Sequence, residues 1–265
     1  MAVLACFIGY TVSASALQFD PLLPLAMAVV FLICAGGQTI NDYFDCTIDK
    51  KLNPQKPLPS GKVPLRTAFF FSMLLFFAGI VLAYFINFTA FILAITFSVL
   101  LFAYSAYCTK IKYLGNFIVA FGTAFTLIYG ATLTGNYFIV SILALSALMA
   151  TLGRELLKDL EQMKIEKGIK VTLPQKISLK ASQMLVFAYF MITIIAVYVP
   201  GILALFMPEA QGFGTIPYII VVSLAAFALI YSFKLTIDKN FKQAQQFAKY
   251  GMMIALAAFL LAAVF

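Results

Sequence analysis

The sequence predicts an all-α, multi-pass transmembrane bundle of about nine helices, on three observations. First, 63% of the 265 residues are hydrophobic and 11% charged, whereas about a quarter of the residues of an ordinary soluble domain are charged. Second, apolar runs near twenty residues recur, each long enough to cross a bilayer core as a helix. Third, every basic residue falls in alternate connections between those runs. Backbone groups in lipid must be paired within the segment, which selects helices. A β-barrel would instead show short alternating segments.

Nine spans are read, at about 2–17, 22–40, 67–86, 89–107, 114–134, 137–155, 180–206, 216–237 and 246–265. They form a single membrane-embedded domain over 1–265. The first run lacks the basic flank of a signal peptide and is read as a true helix. All 18 Lys and Arg lie within 50–66, 110–112, 154–180 and 234–249. Connections near Asp20, Asn87, Gly135 and 207–215 contain none. Cytoplasmic loops collect Lys and Arg, so the four basic connections are expected in the cytosol, with the N-terminus inside. Topology therefore accounts for the net charge of +8, and no nucleic-acid partner is called for.

Four scattered cysteines without a CxxC pair argue against a zinc site or a disulfide framework. With no histidine in the chain, Ser-His-Asp triads and His-ligated metals are excluded. A metal here would need oxygen ligands, which suits Mg²⁺ or Ca²⁺.

The second span runs into Asn41-Asp42-Tyr43-Phe44-Asp45-Cys46-Thr47-Ile48-Asp49. On a continuing helix Asn41, Asp42, Asp45 and Asp49 share an arc of about 100°. Carboxylates crowded at a helix C-terminus oppose its dipole, and a divalent ion would turn that repulsion into coordination. The bland alternative is a solvated helix end balanced by Lys50 and Lys51. The next stretch, from Lys50 to Lys62, is basic and proline-stiffened, as a phosphate clamp would be.

The sixth span ends in a second cluster. On a continuous helix Glu155, Asp159, Gln162 and Glu166 align, and Glu161 points elsewhere. One amide among three acids makes this the weaker metal face. The bland alternative is a helix end laced with local ion pairs.

At these clusters the chain resembles the UbiA-type intramembrane prenyltransferases. Asn41, Asp42, Asp45 and Asp49 match the family's N-D-x-x-D-x-x-x-D motif. The stretch from Asn53 to Val63 is similar to its basic Pro-Ser-Gly loop, and that from Ala103 to Asn116 to its loop after helix four. The stretch from Arg154 to Glu166 resembles its second motif, except that Gln162 and Glu166 stand where the family has Asp. The resemblance covers nearly the whole chain. Its wording is nearest the branch that joins a geranylgeranyl chain to geranylgeranylglyceryl phosphate through an ether bond.

The resemblance implies Mg²⁺-dependent transfer of an isoprenoid from its diphosphate to a lipid-like acceptor at the cytosolic face of the cell membrane. Asp45, Asp49 and Asp159 become the catalytic candidates. Asn41, Asp45 and Asp49, with Asp42 beside them, would hold one Mg²⁺; Asp159, Gln162 and Glu166 would hold a second. Lys56, Lys62, Arg66, Lys110 and Lys158 are candidate diphosphate clamps. No general base stands out. The rivals are an aromatic acceptor for the same chemistry, an ion-coupled transporter using intramembrane acids, and an impaired paralogue.

Overall fold

The protein is described by a computed structural model over residues 2–15, 19–108, 111–163, 165 and 168–264. The long helices are α1 (Ala2–Ala14), α2 (Leu23–Leu52), α3 (Leu65–Tyr84), α4 (Phe88–Tyr107), α5 (Lys112–Ala131) and α6 (Phe138–Gln162). After the single turn α7 (Leu173–Lys176) come α8 (Leu179–Leu203), a 3-10 helix (Pro208–Gly214), α9 (Ile216–Ile237) and α10 (Phe241–Val264). Eight of these, α2–α6 and α8–α10, are long and apolar enough to cross a membrane.

Sequence chemistry fixes the helix starts. Pro24 and Pro217 sit in the first turns of α2 and α9, where a missing N–H costs nothing. Asn87 caps α4 by accepting from the Ala90 N–H at 2.8 Å, and Ser178 caps α8 by accepting from the Ala181 N–H at 3.1 Å.

The first predicted span, 2–17, contains α1, and residues 16–18 lie outside the described residues. Helix α1 has 13 residues, about 20 Å of rise, short of the roughly 30 Å hydrocarbon core. Packing holds it instead. A Cβ added at Gly9 would lie 1.9 Å from the Leu127 carbonyl oxygen, and one at Gly130 would lie 2.0 Å from the Cys6 oxygen. Helices α1 and α5 therefore meet backbone to backbone, the contact that small residues permit between membrane helices.

Three apolar clusters fill the interior. One joins α1–α5 around Val29, Ile40, Phe97 and Tyr129. A second joins α1, α5, α6 and α8–α10 around Leu143, Tyr218 and Phe259. A third lies under the end of α6, around Leu157, Phe190 and Ala244. The 207–215 connection is itself folded. Its 3-10 turn buries Ala210 and Phe213 in the second cluster, because these two are apolar among polar neighbours.

Two further differences bear on the site. The apolar run of α2 stops near 40, yet the helix continues to Leu52, with Asp45, Cys46, Ile48 and Asp49 buried. Helix α6, by contrast, ends at Gln162 rather than continuing to 166. The Ile165 N–H turns back to the Gln162 carbonyl at 3.0 Å, and Gly168 takes φ +81°. That bend sends the following loop across the end of the bundle.

Candidate active site

Both acidic clusters lie at one end of the bundle, and lysines from distant loops meet them there. On α2 the predicted face forms. Lys56 Nζ donates to Asp42 Oδ1 at 2.9 Å and to Asp49 Oδ2 at 2.8 Å, folding the 53–64 loop back over its own helix. Burial alone would lower the Lys56 pKa, but its hydrogen bonds to Asp49 and Asp42 outweigh that and raise it above the ordinary lysine value of 10.5. Asn41 Nδ2 lies 3.5 Å from Asp45 Oδ2, and Asn53 Nδ2 lies 3.3 Å from Asp49 Oδ1.

Lys170 reaches the same cluster from the loop after α6, donating to Asp45 Oδ2 at 2.7 Å. Asp45 is 6% exposed, and its Oδ1 is buried with no donor among the described residues. A buried carboxylate oxygen without a donor is costly and suits a hard cation. The surrounding donors are all oxygens, from Asp42, Asp45, Asp49 and the Asn41 amide, so this face fits Mg²⁺. A groove of about 260 Å³ opens beside Asp42, with Leu58, Val63 and Phe71 in its wall.

The second cluster is built differently. Asp159 is fully buried. Asn116 Nδ2 donates to its Oδ2 at 2.7 Å, and Lys112 Nζ lies 3.1 Å from its Oδ1. The same ammonium donates to Gln162 Oε1 at 3.0 Å. Removing one partner of a buried ion pair costs about 3–5 kcal/mol, so this network is a rigid part of the fold. Glu155, expected on the same face, pairs with Arg154 and with Lys158 at 3.5 Å. Glu161 is exposed and lies 3.4 Å from Gln245 Nε2, on another side of the helix.

The two clusters are joined by their loops. Ile111 and Val171 form a parallel bridge, and the Lys112 N–H donates to the Val171 carbonyl at 2.9 Å. This pairing brings Lys112 to α6 and Lys170 to α2. Tyr104 lies within electrostatic reach of both Asp45 and Asp159, and a Cβ at Gly115 would strike its hydroxyl at 2.0 Å.

The remaining candidates divide. Lys62 and Arg66 are exposed, and Arg66 lies over the Phe70 ring at 5.6 Å. Lys158 is held at Glu155. Lys110 and Glu166 lie outside the described residues. Among the described residues no three Asp, Glu, Cys or His side chains converge as a finished metal cage, because each acid of the clusters is turned to an ammonium or an amide. Three site residues were given no role from the sequence: Lys112, Lys170 and Asn116, the last noted only as part of the family-like loop after helix four. Lys112 and Asn116 left a signal, an i, i+4 pair on the first turns of α5. Lys170 left none, being 125 residues from Asp45.

The sequence pattern of the UbiA prenyltransferase family matches residues 2–261. The chain belongs to that family. It is a multi-pass membrane protein and a prenyltransferase. Among its relatives, digeranylgeranylglyceryl phosphate synthase of Thermococcus kodakarensis is 34% identical over 257 residues, covering 96% of this chain and 90% of the relative. The synthase of the same name from Methanocaldococcus jannaschii is 35% identical over 264 residues, covering 97% and 89%. A solved structure concerned with digeranylgeranylglyceryl phosphate synthase in membranes superposes with a TM-score of 0.84 at 33% identity, over 99% of this chain and 93% of that one. A UbiA homologue from Archaeoglobus fulgidus, bound to GPP and Mg²⁺, shares the fold with a TM-score of 0.67 at 18% identity, over 96% of each chain.

Proposed function

We propose that this prenyltransferase, acting as a single domain, moves a geranylgeranyl chain from its diphosphate to geranylgeranylglyceryl phosphate and forms an ether bond. The observation that carries this reading is one bundle end where lysines from two loops and from the start of α5 meet two acidic helix faces. The names of its relatives support the choice of acceptor. A groove with an apolar wall beside Asp42 suits a substrate with an apolar chain and an anionic head.

In this reading Asn41, Asp45 and Asp49, with Asp42 beside them, hold Mg²⁺. When bound, the metal neutralises charge that develops on the leaving diphosphate. Lys56 and Lys170 already stand at these carboxylates. They orient the acids and supply donors to diphosphate oxygens. Asp159 faces the reaction from the second cluster, fixed by Asn116 and Lys112. The allylic carbon–oxygen bond breaks, the acceptor hydroxyl attacks the allylic carbon, and its proton leaves. Lys62, Arg66, Lys110 and Lys158 remain candidate contacts for the emerging diphosphate or the acceptor phosphate.

The deciding assay supplies geranylgeranyl diphosphate and Mg²⁺ with either geranylgeranylglyceryl phosphate or an aromatic quinone precursor, and reads the product by mass. An ether product with the first acceptor is expected; prenylation of the aromatic ring alone would overturn the acceptor. The site is proposed to face the cytosol, because all 18 basic residues belong to connections at its end of the bundle. Cysteines introduced at Lys51 and Gln211 should then label from opposite sides of the membrane, Lys51 from the cytosol.

A further inference from the structure

Deeper in α6 than Asp159, the charges do not balance. Arg154 and Lys158 stand at i, i+4 and share one side of the helix. Both turn to the single carboxylate of Glu155, Arg154 to Oε1 and Lys158 to Oε2 at 3.5 Å. Glu155 is buried, while the side chains of Arg154 and Lys158 are 28% and 41% exposed. Glu161, the next acid on that side of the helix, is turned to Gln245. Among the described residues two cations therefore share one carboxylate, and one positive charge is left over. Arg154 Nε is also buried with no acceptor among the described residues. A buried charged donor left unpaired is costly, and an ionisable group inside a membrane span marks a functional site. A guanidinium presents its donors as a planar fork that fits phosphate. An anion between Arg154 and Lys158 would satisfy Nε and the surplus charge together.

Depth selects which anion. Arg154 precedes Asp159 by five residues, a rise of about 8 Å, and so lies further from the bundle end than the acidic clusters do. The donor diphosphate belongs at that end, among the α2 acids and their lysines. Its allylic carbon lies on the apolar side of the diphosphate, and there the acceptor must bring its hydroxyl. On a three-carbon glycerol the free hydroxyl is never more than two carbons from the phosphate. A grip on the phosphate therefore also places the hydroxyl.

We propose that Arg154, with Lys158 beside it, binds the phosphate of the acceptor and positions the acceptor hydroxyl for attack. This deepens the proposed function and rests on its choice of a phosphate-bearing acceptor.

The test uses the full chain in nanodiscs, with saturating geranylgeranyl diphosphate and Mg²⁺. It compares geranylgeranylglyceryl phosphate with geranylgeranylglycerol, the same acceptor without its phosphate. The unaltered chain should prefer the phosphorylated acceptor by at least about tenfold in kcat/KM, the scale of one hydrogen bond to a charged group. Arg154→Gln should erase most of that preference by raising KM for the phosphorylated acceptor, with kcat/KM for the alcohol and KM for the donor kept. Lys158→Gln should act in the same direction by less, since its side chain is more exposed. Arg154→Lys keeps the charge without the fork and should fall between. An unaltered chain indifferent to the phosphate would overturn the inference without any variant. Equal loss on both acceptors in folded Arg154→Gln and Arg154→Lys would overturn it too, leaving Arg154 a structural partner of Glu155. A raised KM for the donor alone would give Arg154 to the diphosphate instead. A loss on both acceptors seen only in nanodiscs of anionic phospholipid would give it to a bilayer headgroup. Ether product from neither acceptor would sink the acceptor reading on which the inference stands.

Discussion

The α2 face and the α6 face both present acids at the same end of the bundle, yet one is poised and the other is closed. On α2, Lys56 is 39% exposed and bridges Asp42 and Asp49 from a surface loop. Its pair with Asp42, which is 45% exposed, is worth about 0–1 kcal/mol and yields readily to a stronger cation. On α6, Asp159 has no exposure and its partners come from inside the fold. That pair was assembled as the helices packed and is expensive to open. Nearly the same residue types therefore serve two ends: exchangeable charge on α2, fixed charge on α6. On α2 only the Lys56–Asp42 pair is exposed; Asp45 and Asp49 are buried as Asp159 is, and Lys170 meets Asp45 at 15% exposure.

The largest expected effect separates the faces by activity. Asp45→Ala and Asp49→Ala should each lose at least about a hundredfold in turnover, as removal of a key electrostatic stabiliser does. Chelation by EDTA should abolish turnover and Mg²⁺ restore it. Steady-state assays on variants that elute as the unaltered protein does would test this; near-normal turnover removes that residue from the site.

Next comes stability. Lys112→Met leaves Asp159 buried without its ammonium and should cost about 3–5 kcal/mol, read as a lowered thermal midpoint in detergent. Adding Asp159→Asn should recover much of that loss, since partners in contact are not additive. The same cycle on Lys56 and Asp42 should show coupling below about 1 kcal/mol. Equal coupling in the two cycles would erase the distinction drawn between the faces.

A smaller effect should split the lysines of one loop. Lys56 touches two acids, whereas Lys62 is exposed. A hydrogen bond to a charged group contributes about 1.5–3 kcal/mol, so Lys56→Met should lower kcat/KM about tenfold or more. Lys62→Met should do less, and the reverse order would move the diphosphate towards Lys62. Smallest of all, Glu161→Gln should leave turnover and Mg²⁺ dependence unchanged, because Glu161 faces Gln245 rather than Asp159. A clear shift there would mean that the α6 face has been assigned the wrong phase.

Some of this was readable before any fold existed. Helical phase is local, so the arc of Asn41, Asp42, Asp45 and Asp49 followed from spacing along one helix. Hydropathy is also local, and eight of the nine predicted spans became helices of membrane length. The remaining one contains α1, which Gly9 and Gly130 let lie against the α5 backbone, a contact invisible to hydropathy. The α6 stripe extended only as far as its helix did. Spacing carried Asp159 and Gln162 correctly onto one face, but the helix stopped at Gln162 before reaching 166.

The sequence by itself thus determined a membrane bundle with its charge at one end, two acidic helix ends, and an oxygen-only choice of metal ligands in a chain without histidine. Only the tertiary structure decided which cation meets which acid. Lys170 reaches Asp45 across 125 positions, and Lys112 reaches Asp159 because Ile111 bridges Val171. The physical reason is range. Periodicity and hydropathy act over a few turns, whereas an ion pair needs only a few ångströms in space and can join any two points that packing brings together.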